Sequence, residues 1–254
     1  MNNYLYSKGG VTALIFLYDG TFEGFLTCIY DHYYVKKASA IYNKNNFQSS
    51  LIDESVIINS NPTKWQKVLT ALKQKLTTES LNHINSAFLS YDSNKDTYLL
   101  NYITYGFKIG VNLDNDHTNN FVLPVHKLSK TVSFEAHRFL GILRFNDISG
   151  TLYSTIEPDN NILILIADHF ADRLNNEKFI IHDKKRGKAI LYYQNEWVIS
   201  NFKDIPIFED EHDQYFQKLW KGYFKQIGIE GRKNLKLQQN FVPLKYRKNI
   251  IEFR

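Results

Sequence analysis

The 254-residue chain has a single cysteine, Cys28, a single methionine and only five prolines. A lone thiol forms no internal disulfide, which fits a reducing compartment and a cytoplasmic protein. It also excludes a three- or four-cysteine iron–sulfur site or a zinc ribbon within this chain. Cluster or radical chemistry would have to come from a partner. Long apolar runs are missing too. The longest, near 13–18 and 162–167, fall far short of the roughly 20 residues that cross a bilayer, so no membrane partner is expected. The first run ends in Asp19-Gly20, is preceded by Lys8 alone among basic residues, and has no small-residue cleavage site after it. It reads as a strand and not as a secretion signal. No P-loop, glycine-rich dinucleotide fingerprint, GxSxG elbow, HExxH pair or EF-hand loop occurs, so neither a cofactor nor a metal is expected.

What is present is a globular composition, with 43% hydrophobic and 22% charged residues. Charge is placed unevenly. Residues 225–254 hold eight basic and two acidic side chains, a net +6 in a chain of +5, so the first 224 residues sum to about −1. A near-neutral body with a basic end is a footprint for phosphate contact, although an ordinary solvated surface reads the same way.

The patterning predicts an α+β fold. A strand over 12–18 runs into Asp19-Gly20-Thr21, where Asp19 or Thr21 can cap a helix. Phe22, Phe25, Leu26, Ile29, Tyr30 and Tyr33 then form a helical stripe, with Cys28 beside it as a packed small residue. Asn61-Pro62 starts a second helix, and residues 61–136 read as a mainly helical section. After His137, strands are expected at 139–145, 151–156, 179–182, 189–193 and 196–200, with a helix over 162–174. Their close spacing implies hairpins and hence an antiparallel sheet of short strands. A last long helix is expected over 210–227. The basic segment after it carries apolar anchors such as Leu235, Phe241 and Ile250, which predict that 225–254 packs on the body of a single 1–254 domain.

Candidate chemistry concentrates between 137 and 186. His169, Asp172 and Arg173 are spaced i, i+3, i+4, which puts them on one helix face. Imidazole and guanidinium together suit a phosphate, and the same set also suits an internal network in which Asp172 pairs with arginine. Arg138 and Arg144 are an even number of residues apart, which on a strand places them on one face, with Glu157 or Asp172 as partners. His182-Asp183 leads into the basic turn Lys184-Lys185-Arg186, a possible grip on a phosphate backbone or simply a solvated turn.

Several of these segments, in this order, resemble a bacterial family described as probable DNA metabolism proteins. Residues 18–25 (YDGTFEGF) resemble its opening motif. His137-Arg138-Phe139-Leu140-Gly141 with Arg144-Phe145, Glu157-Pro158, residues 169–173 (HFADR) and the Asp183 to Arg186 turn resemble its central signatures. Arg232, Leu237-Gln238, Pro243 and Tyr246 resemble its end motif. Arg247 departs from that motif, which has tryptophan there. The resemblance implies DNA and a radical-SAM DNA repair protein as partners; similar domains are joined to a uracil-DNA glycosylase in some relatives. It leads to an expected DNA-binding accessory role, with His137, Arg138, Arg144, Arg173, Lys184, Arg186, Arg232, Lys245 and Arg247 on the nucleic acid. The alternatives are a metal-independent glycosylase or hydrolase, with His169 as general acid or base and Asp172 orienting it, and a protein-binding scaffold.

Overall fold

In the computed structural model, residues 14–48, 54–203, 211–227, 229 and 234–253 are described. Arg232, the first two residues of the expected strand at 12–18 and the expected helix start at 210 lie outside them. The chain divides into two compact units, Met1–Lys130 and Thr131–Arg254. The described residues form an α+β arrangement with two separate sheets.

The first unit is built on β1 (Leu14–Tyr18), the centre of a three-stranded parallel sheet flanked by β2 (Ala40–Asn43) and β3 (Glu54–Ile57). Helix α1 (Phe22–Tyr34) connects β1 to β2, as a parallel pairing requires. The turn before it explains the residues of its opening motif. Asp19 Oδ1 accepts from the Thr21 backbone N–H (2.9 Å) and hydroxyl (2.6 Å), and Thr21 Oγ1 accepts from the Gly24 N–H (3.0 Å). A Cβ at Gly24 would lie 2.4 Å from Asp19 Oδ1, so any larger residue would push this cap apart. Helix α2 (Pro62–Lys75) starts as expected, with Asn61 Oδ1 accepting from the Lys64 N–H at 3.1 Å. Helices α3 (Thr78–Phe88) and α4 (Lys95–Ile109) and a 3-10 turn, Gly110–Asn115, follow. Phe25, Ile29, Leu72, Ile84, Leu99 and Ile103 are among the side chains that fill the core under the sheet. Cys28 is fully buried there, and burial pushes its thiol pKa up.

Helix α5 (Leu123–Ile142) corrects the expected strand at 139–145. Its buried positions Val132, Ala136, Phe139 and Leu143 repeat at helical spacing. Gly141 sits exposed in the last turn with nothing near its missing Cβ, so it weakens the helix by about 1 kcal/mol without ending it. Arg138 and Arg144 therefore do not share a strand face.

The second unit holds a five-stranded sheet in the order β4-β5-β6-β7-β8, from β4 (Asn146–Ile148), β5 (Thr151–Ile156), β6 (Phe179–Asp183), β7 (Lys188–Tyr193) and β8 (Glu196–Asn201). Three neighbouring pairs are antiparallel hairpins, as the spacing predicts. All three turns use left-handed backbone, at Ser149-Gly150, at Gly187 and at Gln194-Asn195. The sheet is nonetheless mixed and not purely antiparallel, because β5 and β6 run parallel. Helix α6 (Leu163–Arg173) lies between them in sequence and supplies the crossover that parallel strands need. Helices α7 (Glu211–Ile227) and α8 (Leu235–Phe241) and the 3-10 turns Leu244–Asn249 and Ile251–Phe253 complete the unit.

Candidate functional site

The parallel pairing of β5 and β6 brings the segments after their C-terminal ends together. The Lys184 N–H donates to Ile156 O (3.1 Å). Arg186 donates to Asp183 Oδ2 (2.8 Å), to Pro158 O (3.2 Å) and to Asp159 O. Asp183 is fully buried and Arg186 half-buried, so this arginine ties two loops together. Lys185 and Lys245 both pair with Asp159. Burial alone would push the Asp159 carboxyl up, but these two ammonium groups hold it below its ordinary value. Lys248 pairs with Glu157 at 2.6 Å.

Beneath this junction lies the buried carboxylate of Glu135. Its Oε1 accepts from the Asp159 N–H (2.8 Å) and the Tyr246 hydroxyl. Its Oε2 accepts from the Asn160 N–H (2.8 Å) and side-chain amide (2.6 Å). Arg144 forks onto Glu252 Oε1 through Nε (3.0 Å) and Nη2 (2.7 Å) and also donates to the Gly141 and Leu143 carbonyls. Burial pushes Glu252 up, yet the Arg144 guanidinium keeps its carboxyl below the usual range. Arg247 lays its guanidinium over the Phe253 ring, 4.4 Å from the centroid, and donates from Nε to Val242 O (3.1 Å). A planar cation stacked on an aromatic ring occupies the place of the tryptophan that the resemblance leads one to expect. Arg144, Arg186, Lys245 and Arg247 are thus all engaged within the unit, and Lys184 stands exposed in its turn.

A different set of the expected residues faces solvent. His137 and Arg138 are exposed on α5, and His169, Asp172 and Arg173 are exposed on α6. Asp172 makes no ion pair among the described residues. Arg173 borders a groove of about 790 Å³ with Arg144, Leu219, Trp220, Tyr223 and Ile251. Trp220 and Tyr223 meet with ring centroids 5.7 Å apart and planes inclined by 36°, and both remain substantially exposed. Cation and aromatic surface meet here, with Arg173 making no ion pair among the described residues.

The first unit contains a more basic cleft, which sequence reasoning missed. It has a volume of about 630 Å³ and is lined by Lys37, Lys67, Lys75 and Lys108, with His32, Tyr30, Tyr33, Tyr34 and Phe107 among them. No carboxylate lines it, and none of the four lysines makes an ion pair among the described residues. Tyr30 and Tyr34 have centroids 4.6 Å apart, and Tyr33 meets Phe107 edge-on at 5.7 Å. Lys67 lies over the Tyr30 ring (5.9 Å) and Lys75 over the Phe107 ring (5.5 Å). Burial and the neighbouring Lys37 push the His32 pKa down; its Nδ1 accepts the Ala38 N–H at 3.1 Å, so the ring is held neutral and anchored. The lysines come from the loop after α1, from α2 and from α4, separated by up to 71 positions. Only the Tyr33-Tyr34 pair next to Lys36-Lys37 offered a local signal. The arrangement suits a ligand with anionic groups and flat rings. Elsewhere in this unit His83, Asp114 and His126 come together as potential metal ligands.

The family model that matches covers residues 93–252, well over half of the chain, and is described as a domain of unknown function, DUF4130. No curated protein and no solved structure matches the chain. No helix among the described residues is long and apolar enough to cross a membrane.

Proposed function

The chain belongs to the DUF4130 family, and from that premise we propose that it is a DNA-binding accessory protein that holds single-stranded DNA for a partner enzyme. The observation that supports this reading is the carboxylate-free cleft of Lys37, Lys67, Lys75 and Lys108 with its tyrosine walls. Single strands are bound without strict sequence preference by cations that follow the backbone and aromatic faces that stack on bases. Ammonium groups with no carboxylate partner among the described residues are available to phosphates, and Tyr34, 75% exposed, presents a face to a base. Arg138 and Arg173 on the second unit are further cations with no ion pair among the described residues. The radical-SAM protein enters this proposal through the family resemblance, as the enzyme that would supply the cofactor chemistry a one-cysteine chain lacks.

The test is fluorescence anisotropy of labelled single- and double-stranded DNA and RNA over a salt series. If all four lysines neutralise phosphates, log K against log salt has a slope of about −2.8 for single strands, at about −0.7 per phosphate. Lys67→Ala/Lys75→Ala reduces it to about −1.4, and Tyr34→Ala weakens binding by about 1–3 kcal/mol with the slope unchanged. Absence of binding at low salt overturns the reading. A slope unaffected by the lysine pair but reduced by Arg138→Ala/Arg173→Ala moves the interface to the second unit.

A further inference from the structure

We propose that His83, Asp114 and His126 form a binding site for a divalent transition-metal ion of the zinc class. The three residues come from different elements: α3, the 3-10 turn Gly110–Asn115 and the first turn of α5. One donor atom from each lies within 4.8 Å of the others. The imidazoles of His83 and His126 face each other with centroids 4.3 Å apart and planes inclined by 36°, and His126 Nε2 is 2.8 Å from Asp114 Oδ1. Donors in a tetrahedral zinc site with bonds of about 2.0–2.1 Å stand roughly 3.3 Å apart. The His126–Asp114 pair therefore opens by about half an ångström, and His83 closes in by a side-chain adjustment.

The groups behind the three donors are those a metal site needs. Asp114 is buried, with Ser80 Oγ donating to its Oδ2 (2.5 Å) and the Tyr102 hydroxyl to its Oδ1 (2.5 Å). Ser80 is fixed in turn by Thr77 (2.9 Å). His83 Nδ1 meets Ser129 Oγ at 3.1 Å, which fixes the ring. Such outer partners orient ligands and set their tautomers. Burial would push the Asp114 carboxyl up, but the bonds from Ser80, Tyr102 and His126 hold it below its ordinary value, ionised. Burial and the neighbouring His126 push His83 down despite Asp114 and Glu79, which keeps its ring neutral and able to ligate. Two imidazoles and one carboxylate match the nitrogen-and-oxygen sets of zinc and not the all-oxygen sets of calcium or magnesium. The fourth position falls to solvent, since the two histidine side chains remain 23% and 18% exposed. Glu79, 3.8 Å from His83 Nε2 and largely exposed, and His117, whose ring is 5.8 Å from that of His126, are the other titratable groups around it.

The proposal rests on none of the residues assigned to DNA, so the two readings fail separately. The full chain is stripped with EDTA and titrated with Zn2+ by calorimetry and with Co2+ by visible absorption. One equivalent is expected to bind, with the intense d–d bands of a four-coordinate ion. Zn2+ raises Tm, and affinity falls as pH drops through the histidine range, because protons compete for the same nitrogens. His83→Gln keeps a polar side chain of similar reach in place of the ring and weakens Zn2+ at least tenfold. Asp114→Asn does the same, while His169→Gln on the second unit leaves binding unchanged. No stoichiometric uptake by the wild-type chain, or equal affinity in His83→Gln, overturns the proposal.

Discussion

Tyr246→Phe deletes one hydroxyl from the clamp around Glu135. Tyr246 and Glu135 are each 4% exposed, and 111 positions separate them in the chain. A hydrogen bond to a charged acceptor contributes about 1.5–3 kcal/mol. Glu135 Oε1 keeps the Asp159 N–H after the change, so no acceptor is orphaned, and the loss belongs at the low end, about 1.5–2 kcal/mol. Glu135→Ala strands the donors of Asp159, Asn160 and Tyr246 together and costs more, about 4 kcal/mol. In a double-mutant cycle, Tyr246→Phe becomes nearly neutral in the Glu135→Ala background, a coupling of about 1.5 kcal/mol. Urea unfolding followed by tryptophan fluorescence reads this out. Trp197 and Trp220 report the second unit, and a Trp65→Phe background silences the first. The single change lowers the midpoint by about 1 M for a slope of about 1.5–2 kcal/mol/M. A loss under 0.5 kcal/mol, or full additivity in the cycle, refutes the assignment of Glu135 as the acceptor that holds Tyr246.

Two further outcomes follow from buried groups in the first unit. Burial pushes the Asp96 pKa up to about 6, against the opposing pull of Lys95, while the carboxylate accepts the Tyr18 hydroxyl at 2.9 Å. A folded value above the unfolded one means stability is fullest below the unfolded pKa and is lost as pH rises through about 6. Asp96→Asn keeps an acceptor for Tyr18 without titrating, so relative to wild type it gains up to about 3 kcal/mol between pH 4 and pH 7.5; a pH-independent difference in denaturation would sink this. The Cys28 thiol, buried with its pKa pushed up, reacts with a disulfide reagent only through unfolding, and a labelling rate like that of a free thiol would contradict its placement.

Local chemistry was the legible part of this sequence. The α1 stripe, the Asn61-Pro62 start and the hairpin spacing of β6, β7 and β8 are short-range patterns, and each is present in the structure. The 139–145 segment misled because a short apolar run with an internal glycine fits strand and helix equally; burial at 132, 136, 139 and 143 settles it as helix. The parallel β5–β6 pairing was implicit in a helix lying between two strands, a pattern that the hairpin reading overrode. The partners of the basic residues were not legible, since Arg144 finds Glu252 across 108 positions and Lys245 finds Asp159 across 86. The His83, Asp114 and His126 cluster matches no motif because 31 and 12 residues separate its members, and a cleft built from four scattered lysines has no sequence period at all.

The clamp at Glu135 also orders events during synthesis. The described core of the first unit is made once residue 128 has emerged, and its strands pair over short separations. The second unit opens with Glu135 but holds that carboxylate's last donor back until Tyr246 is made, and Arg144 waits longer still for Glu252. Domains fold as units with the earlier one leading, and distant pairings are slow to close. A nascent chain therefore carries one finished body while Glu135 and Arg144 still wait for their distant partners. A ribosome stalled between residues 146 and 201 exposes a half-built sheet, a predictable substrate for chaperones and proteases.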